Sequence, residues 1–116
     1  MSAPAVGVAG GAAAPADFGI VVTSPGRFAA SGALTFANAK RARSEGLHAL
    51  RTSSARDLEV DCAGISHSDS AGLAVLLDWM AIMKRAGRPL CFANLPSGLL
   101  AVARISGVEE MLQKGV

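Results

Sequence analysis

One stretch, HSDSAGLAVLLDWMAIMKRAG (residues 67–87), constrains this chain more than any other. Its periodicity predicts a helix from about Ser70 to Ala86, closed by the stop pattern of Gly87 and Pro89. At about 100° per residue, Leu73, Leu76, Leu77 and Met80 fall on one stripe. Val75, Trp79, Ile82 and Ala86 fall on the opposite stripe, and Asp78 and Arg85 fill only a narrow strip between. A single small sheet covers one stripe of a helix, so the second must lie under neighbouring helices or against another protein. Trp79 favours the protein: a chain with four Phe, one Trp and no Tyr has little with which to enclose an indole, and tryptophan often dominates interfaces. Val75, Trp79 and Ile82 are therefore expected to form a partner interface, with the last two helices as the competing cover.

A chain of 116 residues suits one domain. The formal charge of +2 argues against a nucleic-acid binder held by phosphate neutralisation. Lys40, Arg41 and Arg43, beside Glu45, read as a solvated helix face. Cys62 and Cys91 lie in strand-like apolar segments, where cysteine acts as a small hydrophobe; nothing calls for a disulfide, and a reduced, cytosolic setting fits. The opening MSAPAVGVAGGAAAPA carries no charge and lacks the basic start of a secretory signal, so residues 1–16 read as a disordered tail and 17–116 as the domain. The longest apolar run, Ala71 to Met83, is broken by Asp78 and falls short of the roughly 20 residues of a membrane span; no direct membrane insertion is expected.

Along the domain, FGIVVTS (18–24) and RFAAS (27–31) read as strands joined by a type II turn at Pro25-Gly26. Thr35 can cap a helix to about Gly46, with Phe36 and several alanines as its buried side. DLEVDCAGI (57–65) alternates as a strand, and PLCFAN (89–94) is a short one. Pro96-Ser97 starts a helix through Ile105, and VEEMLQK a last one. The order β-β-α-β-α-β-α-α implies an α/β fold, a small mixed sheet of about four strands with about four helices packed against it. Leu58, Val60, Cys62, Leu73, Leu76 and Leu77 are expected in the core.

Ser70 sits where free N–H groups and the positive end of a helix dipole gather. Capping by Asp69 or Ser70 explains that position; a phosphate on Ser70 would also be well placed there. His67, Asp69 and Ser70 are triad residue types, but sequence neighbours rarely converge as a relay, and no glycine elbow surrounds the serine. With only His48 and His67, metal ligation has little to use, and GVAGG (7–11) lacks the Lys-Ser/Thr of a phosphate loop. No catalytic residue, metal site or cofactor is expected.

The run Asp69-Ser70-Ala71-Gly72-Leu73, following a strand that ends Asp61-Cys62-Ala63-Gly64-Ile65, resembles the signature of STAS domains, the fold of anti-anti-sigma factors. SGALTFANA (31–39) and the run from Gly72 to Leu112 are more similar to the MlaB group, the STAS subunits of Mla phospholipid ABC transporters. That resemblance implies a non-catalytic cytoplasmic subunit, peripheral at the inner-membrane face. Such a subunit docks on an MlaF-like ATPase subunit in complex with its permease and supports outer-membrane lipid asymmetry. It also implies that Ser70, with Asp69 beside it, forms the partner-binding or phospho-acceptor-like site at the ATPase contact. The alternative is an anti-anti-sigma factor switched by phosphorylation of Ser70. A small-ligand or lipid-binding module, the weakest alternative, would need an enclosed cavity.

Because an uncharged Ala/Gly/Pro tract buries little, deleting residues 1–15 should leave the thermal midpoint nearly unchanged. Differential scanning calorimetry would check this, and a large drop would show that the tract packs.

Overall fold

The computed structural model describes residues 17–115; the tail expected at 1–16 lies outside them. Eight elements run in the predicted order: β1 (Gly19–Ser24), β2 (Arg27–Leu34), α1 (Ala39–Thr52), β3 (Leu58–Ser68), α2 (Ser70–Arg85), β4 (Leu90–Ala93), α3 (Ser97–Ile105) and α4 (Glu109–Lys114). Gly26, with φ of 77°, takes the left-handed position that the β1–β2 turn requires. β1 pairs antiparallel to β2, while β2–β3 and β3–β4 are parallel, in the spatial order β1-β2-β3-β4. This is the mixed four-stranded sheet expected.

Because the strand order never reverses, right-handed crossovers place α1 and α2 on the same face of the sheet. That face is lined by Phe28, Ala30, Leu34, Leu58, Val60, Cys62, Leu90 and Phe92, all buried. In register, Phe28 lies beside Val60 and Val60 beside Phe92, a continuous apolar row across three strands. The opposite face carries small and polar groups, among them the cross-strand pair Arg27–Glu59 at 2.6 Å. One helical layer is therefore enough. Leu58, Val60, Cys62, Leu73 and Leu76 are buried as expected, while Leu77 is only partly so.

The second stripe of α2 is where the structure departs from the sequence reading. Trp79 is fully buried, Val75 is 4% exposed, and Ile82 is packed partly buried against the same core. The expected partner interface at Val75, Trp79 and Ile82 is thus interior. Neither the last two helices nor another protein supplies the main cover for Trp79; α1 does. A Cβ built at Gly46 in the middle of α1 would meet the indole Cζ2 at 2.0 Å, so the missing side chain is the slot that the indole occupies. The indole Nε1–H donates to the Arg43 carbonyl one turn earlier at 3.0 Å, satisfying its only polar atom. Phe18 and Phe92 complete the enclosure, their ring centroids 5.9 and 6.5 Å away.

Helix α1 itself differs from its forecast, running from Ala39 to Thr52 rather than from Thr35 to Gly46. Gly46 reads as a helix stop but lies mid-helix, tolerated because the indole packs against it. Phe36 precedes the helix and is 85% exposed, not buried. The far end of α1 is tied down by Arg88, whose guanidinium donates to the carbonyls of Leu50, Ser53 and Ala55 at 3.3, 2.6 and 2.5 Å. Those bonds satisfy carbonyls left unpaired as the helix ends.

A mid-helix Gly→Ala change ordinarily stabilises by about 1 kcal/mol. Here Gly46→Ala should instead destabilise by about 1–3 kcal/mol, because the methyl overlaps the ring. Trp79→Asp should fail to fold, since it buries an unpaired charge and opens a large cavity. Urea unfolding of both variants would test this, and a stabilised Gly46→Ala protein would show that the indole lies elsewhere.

Candidate functional site

Parallel β2 and β3 end at the same edge of the sheet, and the segments leaving those two ends meet there. After β2 comes the turn Thr35–Asn38; after β3, Asp69 leads into α2. Asp69 joins the two. Its Oδ1 accepts from the backbone N–H groups of Ala71 and Gly72 at 2.9 and 3.2 Å, capping α2, while its Oδ2 accepts from the Phe36 N–H at 3.0 Å. One carboxylate thus holds a helix start and the neighbouring loop in a fixed relation.

Gly72 completes the junction. A Cβ there would meet the Leu34 carbonyl oxygen at 2.4 Å, so only glycine lets the first turn of α2 settle on the end of β2. In the run Asp69-Ser70-Ala71-Gly72-Leu73, Asp69 caps, Gly72 permits close approach and Leu73 enters the core. Of the two capping candidates the structure selects Asp69. Ser70 is exposed and takes no part in the cap. Among the described residues its hydroxyl has no hydrogen-bond partner.

The Thr35–Asn38 turn is tightly organised. Asn38 Nδ2 donates to the Ala33 carbonyl and to Asp17, at 2.9 and 2.8 Å, while its Oδ1 accepts from the Thr35 N–H at 3.0 Å. Thr35 Oγ1 accepts from the Ala37 N–H at 3.3 Å, and the Asn38 N–H donates to the Thr35 carbonyl. These bonds hold Phe36 outward beside the mouth of α2. Sequence reasoning missed Phe36 as a surface residue; the Asn38 side chain, able to close an Asx-type turn just before a helix, was the available signal. Lys40, Arg41 and His67 line an open hollow with Thr35 and Phe36.

The backbone N–H of Phe36, together with those of Gly72 and Ala71 and the nearby His67, holds the Asp69 carboxyl below its ordinary value despite partial desolvation. Burial pushes the Cys62 thiol up to about 12, which makes it a packing group rather than a nucleophile. His67, Asp69 and Ser70 do not form a relay, because both Asp69 oxygens face backbone donors instead of orienting an imidazole. Among the described residues, no three of His, Cys, Asp and Glu are grouped to hold a metal ion, and no helix is long and apolar enough to cross a membrane. What the arrangement offers chemically is a surface held by hydrogen bonds, with an exposed serine at a helix N-terminus and an exposed aromatic ring on the neighbouring turn.

The depressed Asp69 pKa carries a stability signature. Its contribution is fully present above the ordinary aspartate value of 3.8 and fades as the pH falls through the lower folded value. Asp69→Asn leaves one oxygen where two are used, so it should cost about 1 kcal/mol at pH 7. The gap between wild type and variant should shrink on acidification, as read by urea unfolding from pH 6 to 2. A gap that stays constant would show that Asp69 is not the titrating cap.

Comparison with known proteins bears on the family and the fold. A family model described as "Mlab, STAS domain" matches residues 23–113. Among solved structures, the chain is similar to the anti-sigma factor antagonist SpoIIAA in its unphosphorylated form, with a TM-score of 0.64 and 16% identity over 81% of this chain and 84% of that one. At that identity the likeness bears on the fold alone. Comparison with curated proteins finds no match.

Proposed function

Because this chain belongs to the Mlab family of STAS domains, we propose that it is a non-catalytic accessory subunit of an Mla-type phospholipid ABC transporter. It binds the cytoplasmic ATPase subunit, which is in turn bound to the permease, and so acts at the inner-membrane face in maintaining lipid asymmetry. The observation that carries the docking role is Ser70. Asp69 and Gly72 already meet every structural need of the junction, yet a hydroxyl is presented there, exposed, at the positive end of a 16-residue helix. A group that takes no part in the cap, exposed among the described residues on a surface held by hydrogen bonds, is suited to contacting a partner.

The second reading is a regulator switched by phosphorylation of Ser70, captured by an anti-sigma kinase. It is favoured by the shared fold with SpoIIAA and by the suitability of a helix N-terminus for phosphate. Phe36 weighs towards the transporter subunit. A permanently assembled subunit keeps such a ring covered, whereas a free cytosolic switch would expose it to water for part of its cycle.

Substitutions at Ser70 test the reading. Since Ser70 is not the cap, Ser70→Ala should change stability by less than about 0.5 kcal/mol, and Ser70→Glu should also fold, as negative charge suits a helix N-terminus. Ser70→Thr should remain functional. Ser70→Glu should weaken ATPase binding by placing a charge and added bulk where a small hydroxyl fits. Affinity for the purified ATPase subunit and outer-membrane integrity in a complemented strain read the ordering. Full activity of both the Ala and Glu variants would remove the mouth of α2 from the interface, and capture of a kinase in place of the ATPase would favour the regulator.

A further inference from the structure

Strands β2, β3 and β4 run parallel, and α1 and α2 each return from the end of one strand to the start of the next. Both helices therefore begin at the Ser70 end of the sheet and finish at the other. At that far end Arg51 closes α1 and Arg56 follows it, while Lys84 and Arg85 close α2 and Arg88 follows them. The two groups touch: the Arg88 guanidinium reaches the carbonyls of Leu50, Ser53 and Ala55. Five cations there stand against one carboxylate, Asp57, which lies 3.9 Å from Arg56. Nearby Arg27 and Glu59 offset each other. Arg51, Lys84 and Arg85 are exposed and have no carboxylate partner among the described residues. This end alone thus carries more positive charge than the formal +2 of the whole chain, and the remainder is net acidic. One cation per helix end answers the helix dipole. Five at two ends leave charge over.

We propose that this end of the domain rests on an anionic lipid surface, with its lysine and arginine side chains among the headgroup phosphates. Lipid is favoured over protein by what the two segments lack. Between the cations stand Thr52, Ser53, Ser54, Ala55, Ala86 and Gly87, none of which supplies the apolar centre of a protein interface. A headgroup layer needs no such centre, only cations grouped on one side and long enough to reach it. No aromatic side chain stands on these segments to stack a base of a nucleic acid. The surface lies at the opposite end of the sheet from Ser70, so lipid contact and partner docking stand or fall separately.

Flotation of the full-length chain with phosphatidylcholine vesicles, with and without about one-third phosphatidylglycerol, tests the proposal. The chain should float only with the anionic vesicles, and raising the salt from about 0.05 to about 0.5 M should release it. Lys84→Gln combined with Arg85→Gln should weaken partitioning about 30-fold, as expected for two surface cations, with the fold retained by circular dichroism. Arg51→Gln, on the other helix, should weaken it about 5-fold. Lys40→Gln, at the Ser70 end, should bind as wild type. Wild type that ignores the anionic vesicles, or flotation unchanged by the substitutions at 51, 84 and 85, would overturn the proposal and leave those cations as complements to the helix ends. Tighter binding of single-stranded RNA than of vesicles at matched phosphate and salt would also overturn it, making nucleic acid the occupant.

Discussion

The contact between Trp79 and Gly46 is the constraint on which the rest of the domain depends. A helix apolar on two stripes cannot be finished by a sheet that covers only one. The second stripe is closed by placing the largest side chain of α2 against the smallest residue of α1. The cost is a glycine in the middle of a helix, worth about 1 kcal/mol of propensity. The return is an enclosed indole with its N–H bonded to Arg43 and with Phe18 and Phe92 alongside. Once α1 and α2 are locked together, the loops preceding them at the β2 and β3 ends are fixed as well. The position of Phe36 relative to Ser70 is thus a consequence of core packing.

How far the sequence revealed this depends on which residues state their role locally. The strands and α2 were legible because alternation in Leu58, Val60 and Cys62, or stripe spacing in Leu73, Leu76 and Met80, is set by the element itself. Asp69 and Ser70 were legible as a helix start for the same reason. Gly46 misled because the local meaning of glycine, a helix stop, conflicts with its tertiary meaning, a slot for a ring carried by a different helix. Trp79 misled through the same contact: its burial requires knowing what α1 lacks at one position. Phe36 was misassigned because its alanine-rich surroundings have helical composition. The side-chain bonds of Thr35 and Asn38 hold that segment as a turn, and the helix begins only at Ala39.

Burial of Trp79 and Val75 takes the second stripe of α2 off the surface and changes which residues remain exposed. An exposed second stripe would have made α2 as a whole the binding element. The exposed Ser70 and Phe36 instead lie at one end of the sheet, where parallel β2 and β3 finish and the segments leading into α1 and α2 begin. The junction is held together by Asp69 through its two oxygens, Gly72 through its absent Cβ and Asn38 through its amide. Ser70 and Phe36 lie between them, both exposed among the described residues.

That division of labour bears on why a single carboxylate should bridge two loops. If α2 had been capped by Ser70, its hydroxyl would be consumed by the helix, and any partner would have to compete with a backbone N–H for it. Capping by Asp69 releases the hydroxyl, and the second Asp69 oxygen, reaching the Phe36 N–H, ties the ring to the same rigid body. Motion of the β2–α1 turn would then be resisted by a charge-assisted bond, about twice as strong as a neutral one. Ser70 and Phe36 are thus both exposed on backbone that the same carboxylate holds in place, so their relative position was set when the domain folded.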